Sequence, residues 1–324
     1  MNDVRLVTVR SEIAAGTRGA ALGIDAMIVA SLDNKSTFFA EHESVNVEDA
    51  NAVLFKKNKF PNAKYINKVH EVLERVCETT SSVMESDYFP VVLAGDHSTA
   101  AGTICGVKKA NPDKRLGVIW IDAHADLHSP YTTPSGNMHG MPLAMVSNED
   151  NMESKVNDPD TETTAYWDAI KNVGTRGPKI EASDIVFISV RDTEGPENVL
   201  MRKHGIRNFK TEEVREKGTK QIAAEALEQL SHCDIIYVSF DVDSMDSRIS
   251  KGTGTPVENG LTVEEALELN KLLVADKRVC AWEIVEVNPT LDRENTMAEN
   301  AFRILSETVN VIEKRLGKNN MVTV

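Results

Sequence analysis

The sequence predicts an α/β fold in which a mainly parallel sheet is covered by helices on both faces. Short apolar runs alternate along the chain with amphipathic runs. The apolar runs lack an alternating polar pattern, which is typical of strands buried on both faces. Alternation of such strands with helices favours a parallel sheet between two helical layers. Because no internal repeat or low-complexity linker interrupts the 324 residues, we expect one domain, 1–324.

Six apolar runs are predicted strands, and three other stretches are predicted helices. In chain order the strands read RLVTVR, FPVVLAG, RLGVIWID, DIVFISV, DIIYVSFDV and VCAWEIVEV. Apolar residues recur at helical spacing from Asn62 to Thr80. Thr262 is followed three residues later by Glu265, which is the signature of a capping box at a helix start. A last helix is expected from about Thr296 to Leu316.

Composition narrows the class of protein. The 50 acidic and 36 basic residues give a net charge of −14, which argues against nucleic-acid binding. The negative charge suits a cationic substrate or bound metal ions, although it also serves solubility alone. No segment approaches the ~20 apolar residues of a membrane helix. The N-terminus has no signal-peptide core, and the four cysteines form no CxxC pair, so we expect a cytoplasmic protein without disulfides.

One stretch departs from the average composition. The acidic segment, residues 148–164, contains six acidic residues and a single lysine. Such a composition is typical of an exposed loop or a partly ordered excursion from the fold.

Ionisable side chains cluster at the ends of three predicted strands. They are His97 in GDHS, Asp122, His124 and Asp126 in IDAHAD, and Asp241 and Asp243 in SFDVD. Ligands of a parallel sheet bind at the carboxyl ends of its strands, so we expect these six residues to converge. Alternate residues of an extended segment point the same way, which would place Asp122, His124 and Asp126 on one face.

This set of side chains predicts a pair of metal ions. Four carboxylates aimed at one place require positive charge, and the two aspartate motifs contain no Lys or Arg. Two divalent ions ~3.5–4 Å apart would supply it and would lower the pKa of a bridging water. Carboxylates with some imidazole suit Mn²⁺, and Fe, Co, Ni and catalytic Zn accept the same ligands. One such motif would be weak evidence, because Asp is common where strands end in turns.

Five blocks of the sequence resemble the signature blocks of the arginase, or ureohydrolase, family. They read GDHS, IDAHADLHSPYTTPSGNMHG, SFDVDSMD, GTGTPVENGLT and EIVEVNP. The resemblance covers nearly the whole chain except the acidic segment. It implies a three-layer α/β/α fold with a parallel eight-stranded sheet, a binuclear manganese site, and hydrolysis of a guanidino group to urea. It also implies a homo-oligomer, a trimer or hexamer, with no nucleic-acid or membrane partner.

The resemblance assigns roles to individual residues. The metal ligands fall on the six residues His97, Asp122, His124, Asp126, Asp241 and Asp243. The catalytic residues that it implies are Asp126, which is also a metal ligand, His139, which matches the proton-shuttling histidine, and Glu286, which matches the acid that faces the guanidinium. Thr255 matches a threonine near that pocket.

The remaining assignments concern the amino-acid end of the substrate. Thr133, Ser135 and Asn137 suit a carboxylate, and Asp192 with Glu194 suits an ammonium group. The pattern departs from arginases at two positions, where His128 replaces the usual asparagine and Glu194 the usual aspartate. Because agmatinases lack the SGN pattern, L-arginine is the favoured substrate. Agmatine, formiminoglutamate and other guanidino compounds are the alternatives, and a non-catalytic binding protein on this fold is another.

Overall fold

Eight strands form one parallel sheet in the computed structural model, which describes residue 1 and residues 3–318. The strands are β1 (Asp3–Val9), β2 (Ser44–Val47), β3 (Tyr88–Ala94), β4 (Leu116–Ile121), β5 (Ile185–Ile188), β6 (Arg207–Phe209), β7 (Ile235–Asp241) and β8 (Val279–Val285). Their order across the sheet is β2-β1-β3-β8-β7-β4-β5-β6, and every pair is parallel. The six predicted strands and the parallel sheet are confirmed.

Helices cover both faces of the sheet. They are α1 (Gly23–Asp33), α2 (Phe38–Glu41), α3 (Ile66–Glu85), α4 (Ala100–Ala110), α5 (Pro142–Ser147), α6 (Thr161–Ile170), α7 (Gly195–His204), α8 (Thr211–Lys217), α9 (Thr219–Gln229), α10 (Val263–Val274) and α11 (Thr296–Leu316). Successive strand residues point to opposite faces. Two apolar cores form: Trp120 belongs to the one that includes residues of α3 and α4, and Ile121 to the one that includes residues of α10 and α11.

The three predicted helices are present. The helix predicted from Asn62 to Thr80 corresponds to α3, and the last predicted helix to α11. α10 begins with the predicted capping box, in which the Glu265 backbone donates to Thr262 Oγ1 at 3.1 Å and the Thr262 backbone donates to Glu265 Oε2 at 2.8 Å. These reciprocal bonds satisfy two amide groups that would otherwise lack partners at the helix start.

The acidic segment is more ordered than its composition predicts. It contains a short 3₁₀ turn, Met152–Ser154, and its last four residues form the beginning of α6. Asp160 caps this helix by accepting a hydrogen bond from the Thr163 amide at 2.7 Å. Of the two predicted alternatives, the partly ordered excursion fits, and the exposed loop was wrong for residues 161–164.

The sheet order determines where the site forms. β3, β8, β7 and β4 are consecutive neighbours in the middle of the sheet. The residues that follow them therefore lie close together at the carboxyl ends of these parallel strands. The four cysteines are buried and unpaired. Within the described residues, no helix has the length and apolar content required to cross a membrane.

Candidate metal centre

The chain bends sharply as it leaves β4. The extended arrangement expected for Asp122, His124 and Asp126 was wrong, because the strand ends at Ile121 and the His124 amide turns back to donate to Asp122 Oδ1 at 2.7 Å. Asp126 has a φ of 50°, a left-handed conformation that is uncommon for residues other than glycine. The bend nevertheless directs all three side chains into one cavity.

The six predicted ligands converge in two groups that share Asp122. In the first group, His97 Nδ1 lies 3.0 Å from Asp122 Oδ2, 3.3 Å from Asp126 Oδ2 and 3.1 Å from Asp241 Oδ2. In the second, His124 Nδ1 lies 3.4 Å from Asp122 Oδ1 and 3.0 Å from Asp243 Oδ2. Asp122 thus presents one oxygen to each group.

The electrostatics of this cluster call for added positive charge. Burial, reinforced by the Asp122 carboxylate, raises the pKa of Asp126 to about 7. Burial and the facing aspartates raise the pKa of Asp241 well above its usual value. Burial alone would lower the pKa values of His97 and His124, but their carboxylate neighbours raise both well above the usual value. Without metal, protons must therefore balance the carboxylates.

Two buried atoms of the cluster test whether metal ions fit. His97 Nδ1 and Asp122 Oδ2 lack a hydrogen-bond partner of acceptable geometry among the described residues, although they lie 3.0 Å apart. Buried polar atoms normally have partners, so their convergence here is typical of ligand atoms aimed at an ion. The oxygen and imidazole donors suit first-row divalent metals, including Mn²⁺.

Outer contacts hold the first group in place. The His97 ring stacks on Trp120 with centroids 4.0 Å apart, and its Nε2 lies 2.8 Å from Ser239 Oγ. Engaging Nε2 leaves Nδ1 as the ligand atom, which is the usual effect of an outer partner on a metal-binding histidine. Sequence reasoning missed Ser239, although it lies two residues before Asp241 on a strand and therefore on the same face.

The two aspartates of the SFDVD motif, one from each group, are oriented mainly by backbone amides. Asp241 Oδ1 accepts a hydrogen bond from the Asp243 amide at 2.8 Å, and Asp243 Oδ1 accepts one from the Ala123 amide at 3.1 Å. Thr255, which was predicted near the guanidino pocket, lies on the cavity wall and donates from Oγ1 to Asp243 Oδ2 at 3.1 Å. One oxygen of each aspartate is thereby held, and the other is directed towards a histidine.

His139 and Glu286 form a pair beside the cluster. His139 lines the cavity and places Nδ1 3.1 Å from Glu286 Oε1. The same Glu286 oxygen accepts a hydrogen bond from the His97 amide at 2.9 Å. Burial alone would raise the pKa of Glu286, but the His139 hydrogen bond brings it below its usual value, and the pKa of His139 rises in return. Glu286 itself is buried, with 2% of its surface exposed.

The far wall of the cavity is acidic. It is formed by His128, Asp192, Glu194 and Glu197. His128 Nε2 lies 3.3 Å from Glu194 Oε2 and 3.6 Å from Glu197 Oε2. Burial raises the pKa of Glu197 to about 7. Sequence reasoning missed Glu197; the available signal was its position three residues after Glu194, with which it forms the capping box of α7.

The three polar residues assigned to the SGN region, Thr133, Ser135 and Asn137, each have a hydrogen-bond partner outside the metal cluster. Thr133 Oγ1 accepts a hydrogen bond from the Gly136 amide at 2.9 Å, and Ser135 Oγ accepts one from the Asn137 amide at 3.1 Å. Asn137 Oδ1 accepts a hydrogen bond from Lys64 Nζ at 2.8 Å. Lys64, which precedes α3, places a positive charge in this region. The SGN motif gives no indication of this charge, because Lys64 lies outside it.

The comparisons with known proteins agree with this geometry. Residues 2–310 match the model of the Arginase family. This chain belongs to the arginase family. It is 33% identical over 310 residues to the arginase of Brevibacillus brevis, which covers 94% of this chain and 96% of that protein.

Solved structures extend the agreement to the fold. The arginase of Bacillus caldovelox superimposes with a TM-score of 0.81 at 30% identity, covering 99% of this chain and 100% of the other. The arginase of Entamoeba histolytica, solved in complex with L-ornithine, gives a TM-score of 0.80 at 26% identity, covering 95% and 98%. The arginase-like three-layer fold is therefore confirmed, and the chain is a hydrolytic enzyme of the amidinohydrolase class.

Proposed function

We propose that this arginase-family enzyme hydrolyses L-arginine to L-ornithine and urea with the help of two divalent metal ions, Mn²⁺ being favoured. The observation that carries the proposal is the convergence of six ligand side chains in two groups that share Asp122. Two ions held there would supply positive charge and a water whose pKa lies near neutrality. The first group would consist of His97, Asp122, Asp126 and Asp241, and the second of Asp122, His124 and Asp243.

The residues around the cluster have separate tasks in this reaction. A guanidinium is resonance-stabilised, so its carbon must be held close to the attacking water. Glu286 would orient it through Oε2, because Oε1 is already shared by the His97 amide and His139. The raised pKa of His139 favours its protonated form. Because Glu286 engages Nδ1, Nε2 is the atom that can donate a proton to the departing amine.

The amino-acid end of the substrate would meet the far wall and the SGN region. Asp192 and Glu194 suit the α-ammonium group, and His128 can donate a hydrogen bond to the α-carboxylate. Lys64 supports a carboxylate here, because its ammonium lies 2.8 Å from the Asn137 side chain that is assigned to that group. The L-ornithine bound to the Entamoeba histolytica relative has both of these α-substituents.

A second candidate substrate is agmatine, and the acidic far wall favours it. No Lys or Arg of the described residues lines the cavity, whereas Asp192, Glu194 and Glu197 do. Agmatine carries a guanidinium and an ammonium group but no carboxylate, so it suits such a wall. Formiminoglutamate and other guanidino compounds are further sister substrates without a comparable observation in their favour.

A substrate panel tests the proposal. The measurement is kcat/KM for L-arginine, agmatine, formiminoglutamate and guanidinobutyrate at one pH with Mn²⁺. Each polar group that a substrate leaves unpaired in a closed pocket costs ~1–3 kcal/mol, so we expect L-arginine to exceed agmatine by about 100-fold or more. A value for any other compound equal to or above that for L-arginine overturns the assignment.

Three broader expectations accompany this function. We propose a trimer or hexamer, which light scattering of the purified protein would test. We also propose a cytoplasmic location, which fractionation of the source cells would test. The single domain 1–324 predicts one cooperative thermal transition in calorimetry.

A further inference from the structure

The acidic segment, residues 148–164, lies against the substrate loop, which we define as residues 128–137. The amides of Val156 and Asn157 both donate to the Tyr131 carbonyl, at 2.8 Å and 2.9 Å. Ser129 Oγ donates to the Asp150 carbonyl at 2.6 Å. The substrate loop carries four of the side chains assigned to the amino-acid end of the pocket, so these bonds join the segment to that end.

The same segment also contacts α7, whose N-terminus carries Glu194 and Glu197. Asn151 Nδ2 donates to the Pro196 carbonyl at 2.8 Å. Further along the helix, Glu149 lies 3.2 Å from Lys203 Nζ and 2.7 Å from His204 Nε2. The acidic segment therefore connects the substrate loop with α7, the two elements that carry the contacting residues His128 and Glu194.

Two buried donors, one on α6 and one directly after it, hold the segment through Asp150, whose side chain is 34% exposed. Asp150 Oδ1 accepts hydrogen bonds from Trp167 Nε1 at 2.6 Å and from Lys171 Nζ at 2.7 Å. Trp167 and Lys171 are 1% and 7% exposed. Because charge-assisted hydrogen bonds from these two buried donors hold the Asp150 carboxylate, the segment is anchored where it contacts the substrate loop.

Asn157 makes the most specific of these contacts. Its Nδ2 donates to the Thr133 carbonyl at 2.7 Å and to the Pro130 carbonyl at 3.2 Å. The two carbonyls lie on either side of Tyr131, whose own carbonyl accepts from the Asn157 backbone. Asn157 thus engages three carbonyl groups within residues 130–133 of the substrate loop, and it does so without touching the metal cluster.

We propose that Asn157 is a positioning residue for recognition of the substrate's amino-acid end, a role that rests on the proposed hydrolysis of L-arginine. By holding the Pro130 and Thr133 carbonyls, Asn157 sets the path of the loop from His128 to Asn137. The guanidino end is bound elsewhere, beside the ligands on β4 and β7. Disturbing Asn157 therefore weakens binding of amino-acid substrates and leaves the chemistry at the metal centre intact.

The test compares Asn157→Asp with the parent protein. Asp has the same shape but replaces the donor with an anionic acceptor facing two carbonyls. We expect KM for L-arginine to rise about tenfold, the equivalent of roughly one lost hydrogen bond. The kcat for L-arginine, the kcat/KM for agmatine and the metal content of the protein should stay as in the parent. Calorimetric titration with L-ornithine should show the same weakening without turnover.

Asn172→Asp is the matched control. Asn172 Nδ2 donates to the Asp168 carbonyl at 2.7 Å in an exposed turn after α6, so this variant should behave as the parent. An unchanged L-arginine KM in Asn157→Asp overturns the proposal. An equal loss with L-arginine and agmatine, or loss of metal, also overturns it, because either result marks a purely structural role. Should Asn157→Asp fail to fold, Asn157→Ala removes the donor without adding charge. It must then show a raised KM for L-arginine with unchanged kcat, unchanged kcat/KM for agmatine and unchanged metal content.

Failure of this proposal is distinguishable from failure of the proposed function. The preference of the parent protein between L-arginine and agmatine tests the function. The ratio of variant to parent affinity for L-ornithine tests Asn157.

Discussion

His139 Nδ1 lies 3.1 Å from Glu286 Oε1, the oxygen that also accepts the hydrogen bond of the His97 amide. This shared oxygen connects the residue assigned to proton transfer with the backbone of a predicted metal ligand. Glu286 also has a φ of 66°, which is an uncommon conformation for a glutamate. Strained backbone of this kind persists where the surrounding structure enforces it, and it concentrates at functional sites.

Replacing His139 should separate proton transfer from metal binding. We expect His139→Asn to retain two metal ions per chain, because His139 is outside both ligand groups, and to lose about 10²- to 10⁴-fold in kcat. Metal analysis and steady-state kinetics from pH 7 to 10 are the measurements. His70→Asn on α3 is the matched control and should be fully active. Wild-type turnover by His139→Asn across that range would show that the shuttle is assigned to the wrong residue.

Replacing a carboxylate ligand, in contrast to replacing His139, should lower the metal content as well as the activity. Asp126→Asn and Asp243→Asn each remove one negative charge from a ligand group, so both should bind fewer than two ions per chain and lose activity together with metal. Plasma emission analysis after gel filtration gives the metal content. Asp158→Asn, a change in an exposed side chain paired with Lys155, should retain both ions. Full occupancy and full activity in the Asp126 and Asp243 variants would contradict the ligand assignment.

Removing the metal should destabilise the fold. Without ions, the carboxylates around His97 and His124 must be protonated or repel one another, and the stabilisation that comes from ligand binding is lost. We expect exhaustive chelation to abolish activity and to lower the melting temperature by several degrees, and added Mn²⁺ to restore both. Scanning calorimetry before and after chelation checks this. A metal-free protein with full activity, or with an unchanged melting temperature, would refute the expected dependence.

A pair remote from the site should contribute a pH-dependent stability. His42 Nε2 lies 3.3 Å from Glu313 Oε1 on α11. Burial alone would lower the pKa of His42, but hydrogen bonds to Glu313 and the Phe38 carbonyl raise it above the usual 6.5. The His42 hydrogen bond lowers the pKa of Glu313 below its usual 4.5, with Lys318 acting in the same direction.

The sign of the effect follows from these shifts. The raised pKa of His42 gives stability that is complete below pH 6.5 and is lost as the pH rises through the folded value. The lowered pKa of Glu313 gives stability that is present above pH 4.5 and is lost on further acidification. His42→Gln should therefore destabilise most between these values and less at pH 8, as measured by urea unfolding. A difference from the parent that is constant with pH would count against the pair, and His70→Gln is the control.

Elements with strong local signals were predictable from the sequence. α10 has a capping box, and α11 has an apolar stripe long enough to define both ends. β2 and β6 were missed because they contain four and three residues and lie at the edges of the sheet. Such strands have too few apolar positions to produce a pattern, and pairing with a neighbour defines them.

The candidate site was predictable in its members but not in its geometry. Strand ends identify residues such as Asp122 and Asp241, since ligands collect at one edge of a parallel sheet. Sequence cannot show that Asp122 divides its oxygens between two histidines, because this depends on the bend after β4. Lys64 and Asn137 are 73 positions apart, and such contacts come from tertiary packing rather than from any local pattern.

The position of β8 has a consequence for the order in which the protein is built. β8 lies between β3 and β7, although it is the last strand to be synthesised. Until it inserts, β3 with His97 and the β7–β4 pair with the aspartates belong to two separate halves of the sheet. Since pairings between distant parts of a chain form slowly, we expect the proposed ions to bind late in biosynthesis. A ribosome-bound chain that ends before Val279 would carry the six ligands and still lack the central strand that brings them together.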